Sequence, residues 1–312
     1  MPVTKSVLRY PGGKTQMTAY VEYIIKKQHL SSPIYCEPFS GGAGVSIALL
    51  LSNTVDTIIL NDYDPAIYSL WYAVLNEPQR LSEAILNIPI TIDEWHHQKE
   101  IYTALNELRE YNFDLALSTL FLNRTNRAGI ITGGPIGGYE QRSKYSLNCR
   151  FNRAALVKKI TQISSQRQRV QLYMKDATAL IHELLLKQNP HQLFTFFDPP
   201  YYKQGQTLYK NAFTHKKHVE LYHAIRTMDS YSWIATYDIC PEIRNIYQEL
   251  PSYTYNLQYS ANITRKEKEY LFCSPSLSLH SYSKFKLHKV RTSLKKSHGP
   301  NHEPMKTDAV IK

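Results

Sequence analysis

Phe194-Thr195-Phe196-Phe197-Asp198-Pro199-Pro200-Tyr201-Tyr202 decides the fold. A strand-forming run leads straight into an acid, two prolines and an aromatic pair. The run is too apolar to alternate and too short for a helix, which predicts a buried parallel strand of an α/β sheet. The prolines end it, because proline cannot donate to a sheet ladder. A rigid loop then presents a carboxylate, carbonyls and aromatic faces at the strand's carboxyl end, the edge where open α/β sheets bind ligands. A strand that merely stops at a Pro-Pro turn with a solvated Asp would read the same way, so other stretches must choose.

Working outward, Val170 to Met174 predicts a strand closing on Lys175-Asp176-Ala177. Downstream, a helix from Lys216 to Met228 leads to a strand from Tyr231 to Thr236, with Tyr237-Asp238 on the ligand-bearing edge. Tyr253 to Tyr259 and Glu269 to Cys273 alternate as an antiparallel hairpin joined by the basic run Ile263 to Lys268. Nearer the start, Ile34-Tyr35-Cys36 is a short strand followed by Glu37-Pro38-Phe39-Ser40-Gly41-Gly42-Ala43-Gly44 and an apolar helix to Leu51. Glycines there permit positive φ and close approach of a ligand to the backbone. A second strand, Thr57 to Leu60, ends in Asn61-Asp62-Tyr63-Asp64. An acid about twenty residues beyond the glycine loop suits the diol of a ribose, and so a nucleoside-bearing cofactor. That pairing does not choose between NAD and S-adenosylmethionine, although the loop lacks the G-x-G-x-x-G spacing. Tyr10-Pro11-Gly12-Gly13-Lys14 forms a turn with uncovered N–H groups before a helical stretch through Lys27. It is no Walker loop.

Between these halves, Pro65 to about Leu122 reads as helical, with a junction at Tyr111-Asn112-Phe113. Asn123-Arg124-Thr125-Asn126-Arg127 follows, then a glycine-rich hairpin from Ile131 to Tyr139 and Arg142-Ser143-Lys144-Tyr145. Arg, Asn, Tyr and Lys among glycines are the residue types that grip phosphates and read base edges. A mobile loop with solvated charges has the same composition.

The 312 residues carry 37 basic and 26 acidic side chains, a formal charge of +11. Eight basic residues lie from Lys284 onward with only Glu303 and Asp308 against them, which leaves the body at +5. A polyanionic partner is suggested. The four cysteines are scattered, without metal-like or disulfide-like spacing. With no apolar run of spanning length and no secretory pattern at the start, a cytoplasmic location is expected.

Taken in order, Tyr10-Pro11-Gly12-Gly13-Lys14, Glu37 to Gly44, Asn61-Asp62 and Asp198-Pro199-Pro200-Tyr201 resemble the D12 class of adenine-N6 DNA methyltransferases, the family of the Dam enzymes. The resemblance covers roughly residues 5 to 275. It implies a Rossmann-like sheet that binds S-adenosylmethionine, formed by residues 1–64 and 165–282, with an inserted, mainly helical target-recognition region at 65–164. Residues 283–312 are then a basic, disordered tail. The implied reaction transfers methyl from S-adenosylmethionine to N6 of an adenine flipped out of double-stranded DNA.

By that resemblance Asp198, Pro199, Pro200 and Tyr201 form the catalytic motif. The Asp198 carboxylate and Pro199 carbonyl take the N6 hydrogens, and Tyr201 stacks on the base. Tyr10, Lys14, Phe39, Ser40, Gly41 and Gly44 line the cofactor, Asp62 takes the ribose hydroxyls and Asp176 the adenine. Arg124, Asn126, Arg127, Arg142 and Lys144 are the candidates for DNA contact. No metal is implied, a cognate restriction endonuclease would act separately, and the enzyme would sit on the nucleoid. The glycine loop has one residue more than the family's Phe-x-Gly-x-Gly form. The hairpin differs from that of the GATC-reading branch, so its specificity does not transfer. Cytosine-N4, RNA or glutamine-amide acceptors compete, and Asp at position 198 favours DNA adenine over them. A DNA-binding regulator without catalysis is disfavoured by the intact motifs, and a nicotinamide dehydrogenase by the loop spacing.

Overall fold

The computed structural model describes residues 4–9, 13–203, 213–259 and 265–290. Tyr10, part of the basic connection at 260–264, and the end of the basic tail lie outside them. Five parallel strands form the body of the sheet: β1 (Ile34–Glu37), β2 (Thr57–Asn61), β3 (Val170–Tyr173), β4 (Leu193–Phe197) and β5 (Ser232–Asp238). Then come β6 (Ser252–Tyr259), β7 (Arg265–Cys273) and the two-residue β8 (His288–Lys289). The spatial order is β3-β2-β1-β4-β5-β7-β6-β8, with β7 antiparallel to β5. The fold is α/β, as the motifs imply. Strand order reverses between β1 and β4, so the crevice of an open sheet must lie beyond Glu37 and Phe197.

Why β4 reads as continuously apolar is visible in the core. All five of its residues are buried, and alternate side chains feed two separate apolar clusters on the two faces of the sheet. Phe194 and Phe196 join Tyr35, Ile58 and Ile234 on one face. Leu193 and Phe197 join Cys36, Trp233 and Tyr237 on the other. The same alternation puts Asp198, Thr236 and Asp238 toward the first face.

On that face pack α1 (Thr18–Lys27) and α2 (Gly44–Leu51), and the helices of the inserted region extend the same core. These are α3 (Pro65–Asn76), α4 (Pro78–Asn87), α5 (Ile92–Leu105), α6 (Phe113–Thr125) and α7 (Arg153–Ser164). Asn112 is the junction its sequence suggested: its side chain accepts the Leu115 N–H at 3.0 Å and caps α6. The opposite face carries α8 (Ala177–Glu183), α9 (His215–Arg226) and the short α10 (Pro241–Ile246).

β5 ends on Tyr237 and Asp238 at the ligand-bearing edge, as the sequence suggested. One expectation is corrected here. The chain from Ser283 to Val290 is not tail. Phe285 stacks on Tyr20 at 4.1 Å and lies 4.8 Å from Tyr255, and β8 pairs with β6. Stacking of two aromatics on a buried core outweighs the local charge of Lys284, Lys286 and Lys289. No helix among the described residues is long and apolar enough to cross a membrane.

Candidate active site

The site is built from strand ends. At the end of β1, Glu37 is buried and accepts the Tyr35 hydroxyl at 2.9 Å. Burial pushes its carboxyl up to about 7. The glycine loop that follows is held by Asn61, fully buried at the end of β2. Its amide donates to the carbonyls of Pro38 and Lys175, both at 2.9 Å, and its carbonyl accepts the Lys175 N–H. One side chain thus ties the loop to the end of β3.

Within the loop, Gly41 has φ +41° and Ala43 φ +46°, so the chain passes through the left-handed region at both positions. The Gly41 N–H donates to Asp62 Oδ2 at 2.7 Å, and Asp62 Oδ1 accepts the Asp64 N–H at 3.0 Å. Burial first, and then Asp64, push the Asp62 carboxyl up to about 7. Gly44 lets α2 start against the turn at Lys14–Met17: a Cβ there would meet Thr15 Oγ1 at 2.4 Å. The Ser40 hydroxyl is buried without a hydrogen-bond partner among the described residues. Asp176 caps α8, its Oδ1 accepting from the Thr178 N–H at 2.9 Å and hydroxyl at 2.6 Å. It lines a shallow cleft with Phe213, Lys217 and Leu221, and Phe39 meets Phe213 edge-on.

Across the switch point, Asp198 stands at the end of β4 with its side chain a quarter exposed. Its Oδ1 accepts the Thr236 hydroxyl at 2.6 Å and lies 3.0 Å from the Lys14 ammonium. Burial raises the Asp198 carboxyl, and the Lys14 charge opposes that rise. Lys14 is itself only 4 % exposed, sits 4.7 Å over the Tyr201 ring, and lies 3.9 Å from Glu269 on β7. Tyr255 on β6 donates its hydroxyl to Glu269. One buried ammonium therefore serves two carboxylates and an aromatic face. The partly exposed Asp198 carboxylate is the acceptor that this cluster leaves open to a ligand bringing N–H or O–H groups or positive charge.

The sequence pattern that defines the D12 class N6 adenine-specific DNA methyltransferase family matches residues 10–270. The chain belongs to that family. As a D12 methyltransferase it carries the Rossmann-like sheet of S-adenosylmethionine-dependent enzymes. Solved structures similar to it include the rRNA methyltransferase aviRa from Streptomyces viridochromogenes, at 11 % identity over 85 % of each chain and a TM-score of 0.38. Another is a putative RNA methyltransferase, PH1948, from Pyrococcus horikoshii, at 8 % identity over 85 % of each chain and a TM-score of 0.36. No curated protein matches in sequence.

For this D12 methyltransferase the residues proposed from sequence to touch DNA divide. Arg124 and Asn126 are buried and spoken for. The Arg124 guanidinium donates to the Val7 carbonyl, and burial, then Arg9, push its pKa down to about 10. Asn126 accepts the Trp95 indole N–H at 2.6 Å and donates to the carbonyls of Ile130 and Ile131. A buried backbone carbonyl needs a donor, and these side chains supply it, so both are turned toward the protein's own backbone. Arg127, Arg142 and Lys144 are exposed on the adjoining loop, with Arg142 3.0 Å from Glu140. The sequence reading also missed Thr236 and Glu269. A threonine inside the apolar and aromatic run Trp233 to Tyr237 was the available signal for the first. Nothing local marked the second.

Proposed function

We infer that the protein transfers a methyl group from S-adenosylmethionine to N6 of an adenine in double-stranded DNA. The observation that carries this reading is Asp198, held at the carboxyl end of β4 by Thr236 and Lys14 and followed by Pro199-Pro200-Tyr201. The residues across the switch point fit the cofactor. Ser40 offers a buried hydroxyl, the Gly41 N–H and the indole of Trp71 on its carbonyl hold the loop in shape, and Asp62 is an acceptor suited to a ribose diol. Asp176 lines the small cleft beside Phe213, and Phe39 packs edge-on against Phe213, so these side chains would flank the adenine ring. When bound, S-adenosylmethionine supplies an electrophilic methyl on a sulfonium.

The chain's own part is binding and orientation. The target adenine leaves the DNA stack, because its amine is otherwise paired. The Asp198 carboxylate and Pro199 carbonyl accept its two N6 hydrogens, which directs the nitrogen lone pair toward the methyl. They also stabilise the positive charge that grows on nitrogen. Tyr201 stacks on the base, a contact worth about 1–3 kcal/mol. Arg127, Arg142 and Lys144 lie on the face of the inserted region that would meet DNA. A separately acting restriction endonuclease is compatible with such an enzyme, as is a place on the nucleoid.

Asp198→Ala is expected to abolish transfer of labelled methyl to DNA while cofactor binding, followed by calorimetry, stays within about threefold of wild type. An active variant would overturn the role of Asp198. Modification-sensitive sequencing of DNA from cells expressing the protein should show methyladenine in one short motif. Methylcytosine, or no mark at all, would refute the acceptor.

A further inference from the structure

The loop that carries the reactive groups has an unusual shortage of handles. Pro199 and Pro200 bring no N–H, so the backbone donors of residues 198–203 belong to Asp198, Tyr201, Tyr202 and Lys203 alone. Two of these four go to a single side chain. The Tyr202 N–H donates to Asp238 Oδ1 at 3.0 Å and the Lys203 N–H to Asp238 Oδ2 at 2.9 Å. Asp238 is the last residue of β5 and is buried. An ionised carboxylate accepts on both oxygens, whereas an amide of the same shape turns one acceptor into a donor.

Two residues earlier on the same face of β5, Thr236 donates its hydroxyl to Asp198 Oδ1. The register explains the alignment. Phe197 pairs with Ala235, so β5 runs on beside the loop after β4 has ended. Thr236 therefore meets the first residue of the Asp198–Lys203 stretch, and Asp238 its last two. Thr236 and Lys14 share one oxygen of Asp198. Tyr202, which has no partner role in the chemistry, turns its ring to His218 at 5.1 Å and its hydroxyl to His215 at 3.1 Å. That side chain anchors the far end of the loop in the second apolar cluster.

We propose that Thr236 and Asp238 form a clamp on β5 that positions the catalytic loop at both ends. Thr236 fixes the rotation of the Asp198 carboxyl, so that Oδ2 is the oxygen offered to the amine. Asp238 fixes the backbone after Tyr201, and with it the height of the Tyr201 ring and the Pro199 carbonyl. Neither touches substrate. Both are positioning residues, and the proposal rests on the reading of the site as an adenine methyltransferase.

The test combines kinetics with amide exchange. Thr236→Val keeps the shape and removes the donor, and Thr236→Ser restores it. For Thr236→Val, kcat at saturating DNA and cofactor should fall about tenfold to a hundredfold, with the KM for S-adenosylmethionine changed less than about threefold. Thr236→Ser should recover most of that loss. For Asp238→Asn, hydrogen exchange at Tyr202 and Lys203 should quicken about tenfold or more, with β4 and β5 amides unchanged and kcat reduced. A Thr236→Val enzyme within twofold of wild type, or slow exchange at Tyr202 and Lys203 in Asp238→Asn, would overturn the clamp. A wild-type protein that methylates no adenine would instead bring down the functional reading, and the exchange measurement would still decide the clamp.

Discussion

Glu37 shows what a buried acid costs when no cation faces it. Its carboxyl lies at the end of β1, where it accepts from the Tyr35 hydroxyl and from Ser46, and no ion pair reaches it among the described residues. Folding raises its pKa from the ordinary 4.5 to about 7 because burial penalises the charged form. A carboxyl raised by folding holds its proton more tightly in the native state than in the unfolded chain. Stability is then greatest below about pH 4.5 and falls as pH rises to about 7, above which the loss is complete. The loss is on the order of 3 kcal/mol for such a shift. Asp62 adds a slope of the same sign between its ordinary 3.8 and about 7. Glu37→Gln keeps an acceptor for Tyr35 and has no proton to lose. The variant is expected to be more stable than wild type in urea at pH 8 and close to it at about pH 4. Equal destabilisation at both pH values would show that burial of charge is not what Glu37 costs the fold.

At the scale of the element, α6 separates what its sequence displays from what it conceals. Its cap and its apolar content were legible, because both are set by neighbours within a few residues. The polar end Asn123-Arg124-Thr125-Asn126 was not. The partners of Asn123 and Arg124 include the backbone of Arg9 and Val7, more than a hundred positions away in sequence. A run of Asn and Arg reads alike whether it faces phosphates or closes buried carbonyls, and only the tertiary path of residues 4–9 decides. Two neighbours on one segment therefore diverge in their predicted behaviour. Arg127→Ala should leave the denaturation midpoint unchanged and weaken DNA binding, with the slope of log affinity against log salt reduced by about 1. Arg124→Ala should cost about 2–4 kcal/mol of stability, because the Val7 carbonyl and the N-terminal segment lose their donor. Fluorescence anisotropy across a salt series, paired with chemical denaturation, checks both. A stable Arg124→Ala protein with a shallower salt slope would return that residue to the DNA interface.

Across the whole molecule, the alternation of strand and helix announced the parallel half of the sheet and the edge that carries the site. The glycine loop on β1 and Asp198 on β4 could be placed because each motif sits at its own strand's end. The insertion of β7 between β5 and β6 was hidden, since a hairpin pattern does not say which of its strands meets the parallel sheet. Glu269 reaches Lys14 only through that insertion. The chain's end is divided by the same logic. Phe285 and β8 belong to the sheet layer, whereas Arg291, Lys295, Lys296, Lys306 and Lys312 contribute charge to the sequence. Truncation after Val290 is expected to lower DNA affinity, with a salt slope shallower by up to about 4. Truncation after Ser281 also removes the Phe285 ring from Tyr20 and Tyr255 and the β8 pairing, and should cost about 3–5 kcal/mol in addition. Calorimetry and DNA binding on the two shortened proteins separate the contributions. If both truncations unfold like wild type, Phe285 holds nothing in place; if removal after Val290 leaves the salt slope untouched, the basic end takes no part in binding DNA.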